Sequence, residues 1–336
     1  MTGRARRGGG ACLVVAALLA ASCSRGPEAG RAAAGSEGSP AETAGSASDT
    51  AASPTSPQAD APAPAPSTPA PPEPKPFVPP ADAPLPRRAP ALAHRLEDVT
   101  FALRDSVAAW AESGKTDERR PPRRVTLQAL YQQRAYRLLA RRPGLARRVA
   151  GRLDPGLRRE ARANTAAGAK LRSLVTPLKP PVRLKTGPPE PAGRLLRYYR
   201  RAERRFGVDW EVLAAVNYVE TKFGRVRSSS SAGAQGPMQF LPSTWDAYGL
   251  GGDVRAPRDA ILGAANYLRA SGAPGDYRAA LYAYNHSDAY VEAVLLYSRQ
   301  MERRPQRYYG YYAWQVFVIT TRGDVRLTGP GLRKPD

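Results

Sequence analysis

Glu220 is the side chain in this 336-residue sequence whose setting best suits acid–base chemistry. It lies in the stretch Asp209 to Trp245, DWEVLAAVNYVETKFGRVRSSSSAGAQGPMQFLPSTW. That stretch reads as a helix, a Ser-rich turn, a Gly/Ala-rich loop and the start of a second helix. Asp209 is the expected N-cap, and the helix is expected to run to about Phe223 before Gly224 ends it. At the α-helical period, Val212, Ala215, Val216, Val219 and Phe223 gather on an apolar arc, and Glu211, Tyr218, Thr221 and Lys222 on a polar one. Glu220 belongs to neither; it projects beside the apolar arc with Leu213 and Asn217. A carboxyl there is either paired, with Arg225 or Arg227, or desolvated with a raised pKa. A desolvated carboxyl is what protonation of a glycosidic oxygen near neutral pH requires.

The residues that follow are not those of a generic helix connection. Ser230, Gly233, Gly236, Met238, Gln239, Pro242 and Trp245 form one pattern, in which the glycines let backbone approach a ligand or another helix closely. Gln239 offers both donors and acceptors to a sugar amide or hydroxyl. Downstream, AYNHS at 283–287 joins two helices, where Tyr284 and Asn285 can point into a groove. Other chemistries lose their groups: the chain has two histidines and two cysteines, so Ser-His-Asp and Cys-His triads, a disulfide framework and zinc sites lack the side chains they need. No phosphate-binding or dinucleotide glycine pattern occurs, and no cofactor or metal is expected.

The run ETKFGR…SSAGAQGPMQFLPSTW, with AYN at 283–285, resembles the catalytic domain of lytic transglycosylases, relatives of goose-type lysozyme that cleave peptidoglycan. The likeness is greatest to the membrane-bound type B branch and spans about Leu195 to Met301. It implies a lysozyme-like helical domain. It also implies cleavage between N-acetylmuramic acid and N-acetylglucosamine, with one Glu as acid and then base and a 1,6-anhydro ring as product. By motif position that Glu is Glu220; Ser230 would bond the acetamido region or Glu220, and Gln239, Tyr284 and Asn285 would position sugar and the oxocarbenium charge. The sequence departs at His286-Ser287, where the family more often has Ala-Gly. Two alternatives stay open. A hydrolysing muramidase would use a second carboxylate such as Asp246 or Asp253, which read as cap and loop residues. A wall-binding protein would keep the fold without activity.

The elements that must hold these residues follow from spacing and breakers. Leu195, Tyr199, Ala202 and Phe206 form a helical stripe ending at Gly207, and Pro242-Ser243 with Asp246 resembles a capping box. Helices are expected over Pro257–Ala270, Tyr277–Asn285 and Asp288–Met301, the last with Tyr290, Val294, Tyr297 and Met301 on one face. The catalytic segment is placed at 188–305, and 306–336 is expected to form a β-hairpin turning at Arg322-Gly323-Asp324. Upstream, 92–175 carries helical stripes (Leu96, Val99, Leu103, Val107; Leu127, Leu130, Tyr131, Arg134, Leu138) with arginines crowding the exposed faces. It is expected to be a basic accessory module set apart by the Pro/Gly break at 176–193.

Residues 1–23 have a basic start, an apolar run and small residues at the end, a secretory signal too short to span a membrane stably. LAASC ends like a lipobox, making Cys23 the expected lipidated N-terminus, with Ala20 departing from the usual Leu. Residues 24–91 are Ala/Pro/Ser-rich, a disordered tether reaching at most roughly 200 Å. The formal charge of +22 falls to 22 − 3 = 19 without the leader's three arginines. So basic a chain suits an anionic polymer or surface. Because the leader directs it outward, the expected partners are peptidoglycan strands and, through the anchor, the envelope membrane, with other wall-remodelling proteins as further candidates and nucleic acid discounted.

Overall fold

Residues 77–332 are described by a computed structural model. In chain order the helices are α1 (Ala89–Glu112), α2 (Arg123–Arg141), α3 (Pro143–Ala150), α4 (Pro155–Ser173), α5 (Ala192–Phe206), α6 (Trp210–Thr221), α7 (Pro242–Tyr248), α8 (Pro257–Ala270), α9 (Tyr277–Tyr284), α10 (Asp288–Arg303) and α11 (Arg307–Tyr312). Strands β1 (Phe317–Thr320) and β2 (Gly323–Arg326) follow and pair antiparallel, from Phe317 opposite Arg326 to Thr320 opposite Gly323. The mostly α class with a C-terminal hairpin is therefore as the sequence implies. The leader, Cys23 and residues 24–76 lie outside the described residues. The last part of the expected tether, 77–91, is not a free linker, since Phe77, Ala83 and Leu85 pack against the core and α1 already begins at Ala89.

Local chemistry sets several boundaries. Pro90 and Pro155 sit in the first turns of α1 and α4, where a missing N–H costs nothing, and Asp154 caps α4 by accepting from the Gly156 N–H at 2.8 Å. Helix α5 ends on Gly207 in the left-handed region, as its sequence implies. Two expected caps are not made. Asp209 occupies the N-cap of α6 without a side-chain bond; instead Glu203 of α5 accepts from the Trp210 N–H at 3.0 Å, putting a carboxylate at the positive end of α6. Helix α7 begins behind Leu241 with Pro242 in its first turn and no side-chain cap, so the capping box at Ser243 and Asp246 does not form. The C-terminal segment also differs from a simple hairpin: α11 precedes it and buries Tyr308, Tyr311 and Tyr312, and the turn is Thr321-Arg322, one residue earlier than expected.

Helix α6 is the buried axis. All of its residues except Glu211 are buried, so the polar arc expected over Tyr218 and Thr221 is not a solvent face. The reason is long-range packing. Tyr218 meets Tyr297 of α10 edge-on at 4.8 Å, and Tyr311 of α11 and Trp314 close over it. Tyr308 packs edge-on against Tyr199, Trp210 and Phe223. Aromatic pairs of this kind combine area burial with a geometric preference, which fixes α6 in one rotation.

The apolar stripes of α1, α2 and α4 do not pack only on one another. Helix α4 lies along α10 and α1 against α11, so buried residues from 89–171 and 192–314 line a single core across the break at 176–193. Polar bonds repeat the connection. Glu160 Oε2 accepts from Arg104 and Arg307, each at 2.7 Å, and Asp324 of the hairpin accepts from Arg137 of α2 and Arg172 of α4. Residues 77–332 accordingly cluster as one unit.

Candidate active site

The C-terminal end of α6 is an unusual piece of backbone. Lys222, Phe223 and Gly224 are all in the left-handed region, with φ of 55°, 61° and 78°. Such conformations cost free energy for residues other than glycine and persist where surrounding packing determines them. Here Phe223 is held among Tyr218, Tyr308 and Tyr312. The Lys222 ammonium folds back to donate to the Tyr218 carbonyl at 2.9 Å, satisfying a helix-end acceptor. The turn reverses the chain directly after Glu220 and brings the 230–240 loop onto α6.

That loop is pinned by buried hydrogen bonds. Asn217 Nδ2 and Thr221 Oγ1 both donate to the Pro237 carbonyl, at 2.7 and 2.6 Å, while Tyr199 donates to Asn217 Oδ1 at 2.6 Å. Ser230 Oγ accepts from the Ala234 N–H at 2.9 Å, and Gln235 pairs with Phe240 through two backbone bonds. Gly236, at φ 72°, must be glycine: a Cβ there would sit within bonding distance of the Val254 carbonyl. Gln239 follows at φ 52°.

These elements wall a cleft of about 170 Å³ lined by Glu220, Ser230, Gln239, Tyr284 and Asn285, the residues that the resemblance singles out, with His286 at the edge. Glu220 is 3% exposed. Its Oε1 accepts from the Tyr290 hydroxyl at 2.8 Å, and its buried Oε2 has no hydrogen-bond partner. Arg225 and Arg227 do not pair with it; they donate to the carbonyls of Lys222 and Tyr312, and of Pro188. Burial pushes the Glu220 carboxyl up to about 8, against the opposing pull of the Tyr290 bond and the Lys222 charge. It is therefore a carboxylic acid at neutral pH. Burial and the charge of Arg137 lower the Lys222 ammonium to about 7.

Around this acid the walls are aromatic and amide in character. Tyr284 donates to the Met238 carbonyl at 2.6 Å, and its ring lies between Phe240 and Tyr267. Tyr267 donates to the Ala283 carbonyl at 2.8 Å. Gln239 Nε2 donates to the Gly236 carbonyl at 3.0 Å, leaving its buried Oε1 without a partner. Ser287 caps α10 by accepting from the Tyr290 N–H, which sets the start of the helix that carries the Tyr290 hydroxyl.

Among the described residues lining this cleft, Glu220 is the one carboxylate. Asp246 and Asp253 are exposed and line other surface; Asp253 accepts from the Arg255 N–H as a loop cap. A separate cavity of about 330 Å³ contains the buried carboxylate of Glu160, but there two arginines neutralise it. The residue that sequence reading missed is Tyr290. Its place on the buried face of α10 was legible; its bond to Glu220 spans 70 residues of sequence and was not.

Comparison with known proteins gives a match over the same part of the chain. Residues 197–306 match the family Transglycosylase SLT domain. A 74-residue stretch is 35% identical to the membrane-bound lytic murein transglycosylase F of Thiobacillus denitrificans (strain ATCC 25259 / T1), covering 22% of this chain and 15% of that protein. The match thus spans a small part of that relative's length. No solved structure matches the chain.

Proposed function

We propose, from the match of residues 197–306 to the Transglycosylase SLT domain, that the chain is a peptidoglycan lytic transglycosylase in which Glu220 acts alone as acid and then base. The observation that carries this reading is a buried carboxyl at the wall of the cleft, one oxygen without a partner and no second carboxylate among the lining residues. Glu220 gives its proton to the glycosidic oxygen between N-acetylmuramic acid and N-acetylglucosamine as the C1–O bond breaks. The electron-poor C1 is then attacked by the muramic acid's own C6 oxygen, and the Glu220 carboxylate takes that hydroxyl's proton. The 1,6-anhydro ring closes, Glu220 is protonated again, and no water is consumed. A hydrolysing scheme would need a second carboxylate to activate water.

Gln239 Oε1, Ser230 and Asn285 supply polar contacts to the sugar, and the rings of Tyr284 and Tyr267 supply an apolar wall. In the proposed setting Cys23 is lipidated and anchors the enzyme in the envelope, where the tether lets it sample peptidoglycan. A Cys23→Ala protein that stayed on membranes through a high-salt wash would contradict the anchor. The direct test of the chemistry is Glu220→Gln, which keeps shape and removes the proton. Cleavage of purified sacculi should fall by roughly 10²–10⁴-fold or more. A variant retaining a tenth of the rate would exclude Glu220 as the acid.

A further inference from the structure

A groove of about 570 Å³ lies between the start of α2, the 186–189 stretch and the 328–330 turn. Arg119, Arg120, Arg123 and Arg225 line it, and none of the lining residues is Asp or Glu. Of the neighbouring acids, Asp117 pairs with Arg197 at 2.8 Å, Glu190 pairs with Arg194 at 3.1 Å, and the exposed Glu118 is not among the lining residues. Arg119, Arg120 and Arg123 are exposed, and no carboxylate among the described residues is shown bonded to them.

Arg225 differs from these three. It is 6% exposed, yet its guanidinium meets only the carbonyls of Lys222 and Tyr312, at 3.0 and 2.7 Å, and the Tyr312 ring. A guanidinium withdrawn from water without a counter-charge is costly, and four guanidiniums around one concavity concentrate a positive field. Their planar forks match carboxylates.

One wall of the groove is paired to the segment that leaves α6 after Glu220. Thr186 pairs with Val226, the Gly187 N–H donates to the Arg225 carbonyl at 2.9 Å, and the Arg227 N–H donates to the Lys185 carbonyl at 2.9 Å. Arg225 follows Glu220 by 225 − 220 = 5 residues, so their Cα atoms are at most roughly 18 Å apart. An extended peptide of four or five residues spans about 15 Å.

We propose that this groove binds the carboxylates of the short peptides carried by the glycan strand that the cleft holds; the proposal rests on the reading of the cleft given above. Unlike a diffuse basic surface, such a groove distinguishes peptide-bearing strands from bare ones.

The test is equilibrium binding by the full-length Glu220→Gln protein, which does not consume the strand, at low ionic strength. Peptide-bearing glycan is compared with glycan stripped of its peptides by an amidase. The peptide-bearing form should bind about tenfold more tightly, as three modest ion pairs would give. Adding Arg119→Gln, Arg120→Gln and Arg123→Gln should abolish that preference. Adding Arg147→Gln, Arg148→Gln and Arg152→Gln, exposed residues on and just after α3, removes the same charge and should leave it intact. The groove assignment is overturned if the first triple variant keeps the preference, if both triple variants lose it equally, or if no preference exists. Should the preference behave as expected while wild-type protein cleaves neither strand, the catalytic reading fails and the groove stands.

Discussion

The Tyr290 hydroxyl donates to Glu220 Oε1 at 2.8 Å, while Oε2 of the same carboxyl is buried without a partner. The two oxygens are therefore not equivalent. One is held in place by α10, and the other is left to meet a group that enters the cleft. The bond also sets how acidic Glu220 is, since a donor to the charged form favours ionisation and opposes the effect of burial.

Tyr290→Phe keeps the ring and removes that donor. The Glu220 pKa should rise further above about 8, so the alkaline limb of the pH–rate profile should move to higher pH, with the maximal rate reduced by about tenfold or less. A limb that stays in place or moves to lower pH would show that Tyr290 does not tune the acid.

Glu220→Gln should stabilise the fold at neutral pH. The folded-state pKa of about 8 lies above the ordinary value of 4.5, so between those limits the folded chain holds a proton that the unfolded chain releases. The wild-type protein thus loses stability as pH rises from 4.5 to 8, and the glutamine variant does not. The gap should be near zero at pH 4 and on the order of 3 kcal/mol at pH 7, read from urea unfolding at a series of pH values. A gap independent of pH would mean that Glu220 is ionised in the fold.

What the sequence made legible was local. Glu220 stands out because the helical period puts a carboxylate beside the apolar arc, whereas the grouping of Ser230, Gln239, Tyr284 and Asn285 around it comes from the family resemblance and not from local spacing. The burial of Tyr218 and Thr221 was not legible, because α10 and α11 cover the face that local periodicity marks as polar. The cap of α6 comes from Glu203 rather than Asp209 because the helix before it ends with a carboxylate within reach of the Trp210 N–H. The break at 176–193 reads as a module boundary by composition, whereas the packing of α4 on α10 depends on contacts more than a hundred residues apart.

Gln239→Leu tests the partnerless amide oxygen. If that oxygen receives a hydrogen bond from the sugar, its loss should lower kcat/KM by roughly 10- to 100-fold. The thermal midpoint should fall only by the loss of the Nε2 bond to the Gly236 carbonyl, because the partnerless oxygen adds nothing to the free fold. A variant with unchanged kcat/KM would remove Gln239 from the substrate contacts.

A chain beginning at Pro188 should lose activity and aggregate. It lacks α1, α2 and α4, which cover the apolar faces of α10 and α11, including those around Tyr297 and Tyr311. Exposure of a core face of this kind is an aggregation hazard. A monomeric, helical fragment that cleaves sacculi at near the full-length rate would show that the N-terminal helices are separable.

The mass of the fragments that full-length protein releases from purified sacculi bears most directly on Glu220 acting without a second carboxylate. Ring closure by the substrate's own hydroxyl leaves products one water lighter than the corresponding reducing-end sugars, and Glu220→Gln should release about a hundredth of them or less. Reducing-end products alone from wild-type protein would mean that water is the nucleophile and that another group activates it.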